Sequence, residues 1–163
     1  MSDAAKEQLE IYLKDHYAGA VGALELIEHS IKAHEGTPLA AFFEELRGDV
    51  KADHEQLHNL MTALGFEESG MRNAGAWMAE KLGWVKIGSS GGEKSELRLL
   101  QTLESLFLGI SGKQLLWRSL QAMRDSSPVL QRTDFEHLEK RAIEQLERVE
   151  TKRLAAATDL SGS

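Results

Sequence analysis

Cysteine is absent from this 163-residue chain. That absence removes disulfides, thiolate metal sites, iron–sulfur clusters and a cysteine nucleophile together. Long apolar runs are missing as well, and no stretch approaches the roughly 20 residues that a membrane-spanning helix requires. The opening run MSDAAKEQLEIYLKDHY is charged throughout and lacks the apolar centre of a signal peptide, so the expected location is the cytoplasm. Positive charge is in the minority. With 19 Lys and Arg against 26 Asp and Glu, the formal charge is −7. A nucleic acid or an anionic membrane surface is therefore not the expected partner. Alternating or β-branched runs are missing, so no strand is predicted. No glycine-rich phosphate loop and no serine nucleophile with its base can be found.

Proline occurs only twice, and both copies mark helix starts. Thr37-Pro38 and Ser127-Pro128 each place a capping hydroxyl before a proline at the first helical position. The spacing predicts four long helices: about Asp3–His34, Pro38–Leu64, Glu93–Met123 and Pro128–Ala157. Their apolar stripes recur at three and four residues. The first carries Leu9, Leu13, Tyr17, Ala20, Leu24, Ile27 and Ile31. The second carries Leu46, Val50, Leu57 and Leu64, and the fourth Phe135, Leu138, Ala142 and Val149. On the third, the stripe is drawn through Leu97, Leu100, Leu108 and Leu115, which sets Glu104 inside the core.

Residues 65–92 differ in texture, holding seven of the 14 glycines together with Trp77 and Trp84. Two tight turns flanking one long crossing describe a ferritin-like four-helix bundle. The expected organisation is one all-α domain over residues 1–163, with a crossing at about 65–92 and a short tail at about 158–163.

The two helical hairpins, the crossing and the segment LRLLQTLESLFLGISGKQLLWRSLQ resemble the ferritin-like superfamily, and in particular uncharacterised bacterial ferritin-like proteins. That resemblance implies a di-iron site with a glutamate on helices one and three and Glu-x-x-His on helices two and four. Glu55-x-x-His58 has this spacing. At 100° per residue, however, Glu55 falls about 160° from the centre of its stripe and His58 about 100°. Asp134-x-x-His137 on helix four fails the same test. The expected ligand set is thus incomplete, and a redox-active iron pair is not the leading expectation. The competing reading is a metal site, for iron or another divalent ion, built around Glu104 with Glu150, Asp53, His16 and Glu28. The alternative is a buried hydrogen-bond network linking Glu104 to Gln101 and Ser111.

Gly109 and Gly112 are unusual in a helix interior, where each costs about 1 kcal/mol relative to alanine. They predict close approach of the crossing or of a second subunit. Trp77 and Trp84 would supply an interface if exposed. The sequence is accordingly read as a non-enzymatic binding or structural bundle, expected to be homodimeric, with no resident cofactor.

Overall fold

The computed structural model describes residues 1–66 and 96–162. These form helices α1 (Asp3–Ala33), α2 (Pro38–Ala63), α3 (Glu96–Ala122), the short α4 (Pro128–Gln131) and α5 (Phe135–Leu160), with a single 3-10 turn at Arg124–Ser126. No strand occurs among the described residues, so the fold is all-α. Trp77, Trp84 and most of the 65–92 segment lie outside the described residues.

Four helix starts have a local cause. The side chains of Ser2, Thr37, Ser127 and Asp134 accept hydrogen bonds from the backbone N–H groups of Ala5, Ala40, Val129 and His137. Such caps satisfy donors that the first turn leaves unpaired. Helix α2 stops at a left-handed Gly65, φ 75°. The Phe66 N–H then reaches back to the Met61 carbonyl at 3.0 Å, closing the turn as a Schellman motif.

Helix α1 packs along α2 and α3 along α5, while α1 also touches α3 and α2 touches α5. Four helices thus surround one core, with α2 and α3 on a diagonal. Their directions follow from which residues meet. Tyr17 faces His54 and Glu28 pairs with Arg47, so α1 and α2 are antiparallel. Lys113 meets Gln145 and Arg153 approaches Glu104, so α3 and α5 are antiparallel. Arg148 pairs with Asp49 and Arg141 with Asp53, which reverses α2 against α5. Helices α2 and α3 therefore run in the same direction, with the end of α2 and the start of α3 at opposite ends of the bundle.

The stripes of α1, α2 and α5 sit on the core much as their spacing predicts. Helix α3 is rotated from expectation. Its buried residues are Leu103, Leu106, Ile110, Leu116, Trp117 and Leu120, whereas Leu97, Leu108 and Leu115 are exposed, Leu108 by 72%. Leucines occur on every side of this helix, so hydrophobic contrast alone does not select a face. Glu104 turns outward with that rotation. Its side chain is 50% exposed, with the Arg153 guanidinium 3.8 Å away.

The fourth expected helix is broken. Thr133 and Asp134 interrupt it, and Asp134 begins α5 by accepting from the His137 N–H at 3.0 Å. The Asp-x-x-His spacing is thus a capping spacing, which places a side-chain acceptor over the N3 amide.

Candidate binding cavity

Three core stripes are each interrupted by one polar residue at a common level. Asp53 follows Leu46 and Val50 on α2, Lys113 follows Leu106 and Ile110 on α3, and Gln145 follows Leu138 and Ala142 on α5. Asp53 is 1% exposed. Its Oδ2 accepts from Lys113 Nζ at 2.6 Å and from Gln145 Nε2 at 2.8 Å. Lys113 also donates to Gln145 Oε1. Arg141 Nη2 lies 3.1 Å from Asp53 Oδ1 as an ion pair, although Oδ1 receives no hydrogen bond of good geometry. A buried carboxylate without such partners would cost several kcal/mol, so this four-residue network is what permits Asp53 to remain there. Burial pushes the Lys113 ammonium below its ordinary pKa, and the Asp53 charge opposes that shift.

Beside this network, α1, α2 and α3 border a cavity of about 280 Å³ that is open to solvent on one side. Its walls are mainly apolar, including Ala20, Ala23, Val50, Leu57, Leu106, Ile110 and Leu116. Polar character enters at a few points: Asp15, His16, His54, Asp53, Lys113 and Trp117 also line it. A concave, mostly apolar space with few polar groups is the usual form of a small-molecule site, and this volume lies near the lower end of that class.

Three glycines also line the cavity: Gly19, Gly109 and Gly112. At each, an added Cβ would meet no heavy atom of a described residue within 4 Å. The close approach expected at Gly109 and Gly112 is that of the crossing or of a second subunit, and the crossing lies mostly outside the described residues. These glycines leave room where alanine would give a more stable helix.

Three buried polar atoms of cavity-lining residues have no hydrogen-bond partner among the described residues: Asp53 Oδ1, His54 Nε2 and Trp117 Nε1. Trp117 is only 1% exposed and stacks on Phe135 with ring centroids 6.4 Å apart. His54 lies against Tyr17, with centroids 4.2 Å apart. The pKa of His54 is lowered, first by burial and then by the neighbouring His58, with Glu55 opposing. That of His16 is also lowered by burial, with Asp15 opposing. Both imidazoles are thereby biased toward the neutral form.

The residues singled out in the sequence do not converge. Glu104 lies outward beside Arg153, and Glu150 is held by the same guanidinium at 2.7 Å. Glu28 pairs with Arg47 at 2.7 Å, and His16 packs edge-on against Tyr12. Of the five candidates, only Asp53 and His16 share the cavity. Glu55 is exposed, and His58 is half-buried beside Tyr17. The expected network around Glu104 does not form either, since the Ser111 hydroxyl donates to the Phe107 carbonyl of its own helix. Among the described residues, no three His, Asp or Glu side chains gather as a metal-ligand group. These residues therefore do not fit the di-iron ligand set that the resemblance implies.

The sequence reading found Asp53 and missed Lys113 and Gln145. The signal was available. Leu99, Leu103, Leu106, Ile110, Trp117 and Leu120 form a three-four series in which position 113 is the one charged member. Comparison with protein-family models, curated proteins and solved structures gives no match. No helix of the described residues is long and apolar enough to cross a membrane.

Proposed function

We propose that this chain is a non-enzymatic binding protein on a ferritin-like bundle, with its ligand site in the cavity bordered by α1, α2 and α3. The ferritin-like reading is supported by the two antiparallel hairpins and by the parallel course of α2 and α3, which ferritin-like bundles accommodate with one long connection. The binding reading is carried by one observation. A cavity of about 280 Å³, open to solvent on one side, is lined mainly by apolar side chains of α1, α2 and α3. Concave, mostly apolar surfaces of this kind are where small molecules bind. A ligand accounts for this lining and for the three unobstructed glycines.

Nothing in this proposal requires bond-making chemistry. Lys113, the cation among the described lining residues, is already engaged by Asp53 and Gln145. Benzene tests the site, because its lining is mainly apolar and its size suits a single ring. Ligand-detected NMR should show saturable benzene binding to the wild-type protein and its loss in Gly112→Leu, with helicity preserved. Undiminished binding in Gly112→Leu would place the benzene elsewhere and defeat the assignment.

The homodimer reading is supported by Leu97, Leu108 and Leu115, an exposed apolar row on α3. Light scattering should report a dimer for the wild type and a monomer for Leu108→Glu. A monomeric wild type would dispose of that reading.

A further inference from the structure

Resting on the homodimer reading, we infer that the second copy docks on the outer face of α3, the two α3 helices meeting antiparallel about a two-fold axis near Ser111. Positions 97, 101, 104, 108, 111, 115 and 118 are spaced alternately by four and three residues, so they share one side of the helix. That alternation is the seam along which helices pair with one another. The seam faces away from the core, with Leu97, Leu108 and Leu115 exposed and the side chains of Glu104 and Arg118 at least half exposed.

The order of residues along the row is self-complementary. The midpoint of Leu108 and Leu115 falls between Ser111 and Gly112, small residues at which two helices can approach closely. At 1.5 Å per residue, Glu104 lies about 11 Å before that midpoint and Arg118 about 10 Å after it. A two-fold axis there seats Leu108 against the partner's Leu115, and Leu115 against the partner's Leu108. It also brings Glu104 beside the partner's Arg118, and the contact is closed because each copy offers the same patch. A parallel pairing would set Glu104 against the partner's Glu104 and Arg118 against the partner's Arg118. Interfaces avoid such like-charge meetings, so the charges select the antiparallel arrangement.

Both charges are held loosely within their own chain. Arg118 Nε is 3.5 Å from Glu139 Oε1. Glu104 Oε1 is 3.8 Å from Arg153, whose short hydrogen bonds go to Glu150. Neither contact has the length of a good hydrogen bond, which leaves both side chains available across an interface. Glu104 and Arg118 stand about 21 Å apart along α3, so they do not serve each other.

The test is sedimentation equilibrium of the full chain, with helicity checked by circular dichroism. The wild type should be a dimer. Glu104→Arg and Arg118→Glu should each weaken it at least about 10-fold, and the double variant should return to within about 3-fold of the wild type. Such recovery can arise only between chains, given the separation within one. Because the chain has no cysteine, Ser111→Cys adds a single thiol near the axis and should give a disulfide-linked dimer on mild oxidation. Leu97→Cys, about 40 Å from the partner's copy of the same position, should not. A double variant no more dimeric than the single ones overturns the antiparallel register and leaves a dimer of another geometry. Cross-linking of Leu97→Cys as readily as Ser111→Cys overturns it in favour of a parallel pairing. A monomeric wild type overturns the homodimer reading and this inference together, and leaves the row to another part of the chain or to a different protein.

Discussion

Lys113 on α3 and Asp53 on α2 meet across the diagonal of the bundle, 2.6 Å apart from Nζ to Oδ2. They join the two parallel helices, of which α2 packs along α1 and α3 along α5. The pair also forms part of the cavity wall, so the same contact fixes the diagonal and shapes the site.

Removing either partner should have unequal consequences. Asp53→Ala strips the counter-charge from a buried ammonium and from Arg141, and should cost about 3–5 kcal/mol. Lys113→Met should cost less, because Asp53 keeps Gln145 and Arg141. Urea unfolding of both variants measures this order. A greater loss for Lys113→Met would show that Asp53 is not the centre of the network.

The cavity glycines should behave oppositely to core residues. Gly109→Ala has open space around its Cβ and should stabilise the chain by about 1 kcal/mol through helix propensity alone. Thermal unfolding checks it. A destabilised variant would mean that something packs where the described residues leave room.

The rotation of α3 can be tested by a contrast on one helix. Glu104→Ala removes a half-exposed side chain and should change stability by no more than about 0.5 kcal/mol. Leu106→Ala removes a side chain that is 1% exposed and should cost about 2–5 kcal/mol. Chemical denaturation with the two values reversed would restore the face drawn through Leu97, Leu108 and Leu115.

Acidification should weaken the fold before the carboxylates titrate. His16 and His54 both have folded-state pKa values below the ordinary imidazole value, through burial first. Below about pH 6.5 the unfolded chain therefore binds more protons than the folded one, so stability falls as pH falls. Glu150, held low by the hydrogen bond from Arg153, acts only below about pH 4.3 and lies outside this window. The melting temperature should drop between pH 7.5 and 5.5, and the drop should be smaller in the His16→Gln, His54→Gln double variant. A wild-type melting temperature that rises on acidification contradicts this.

Much of the fold was legible because α1, α2 and α5 place apolar residues on one side only. Leu46, Val50, Leu57 and Leu60 on α2 sit on the core as their spacing indicates. Helix α3 misled because leucine occupies several of its faces, and choosing the wrong one moved Glu104 inward and Lys113 outward. Asp53 could be read from α2 alone. Its partners could not, since Lys113 and Gln145 join it only when three separated segments are brought to one level. The cavity was not legible either. Gly109 and Gly112 were visible as anomalies, but spacing does not distinguish a glycine that admits a neighbouring backbone from one that leaves space.

The indole N–H of Trp117 offers the most direct test of the binding proposal. Three indole cross-peaks are expected in a ¹H–¹⁵N NMR spectrum, one for each tryptophan, and Trp117→Phe assigns the one that matters. On titration with benzene, the Trp117 resonance should shift and saturate, as expected when an aromatic ring settles against a wall that Trp117 lines. A Trp117 resonance that stays in place while benzene binds would show that the cavity beside it is not the ligand site.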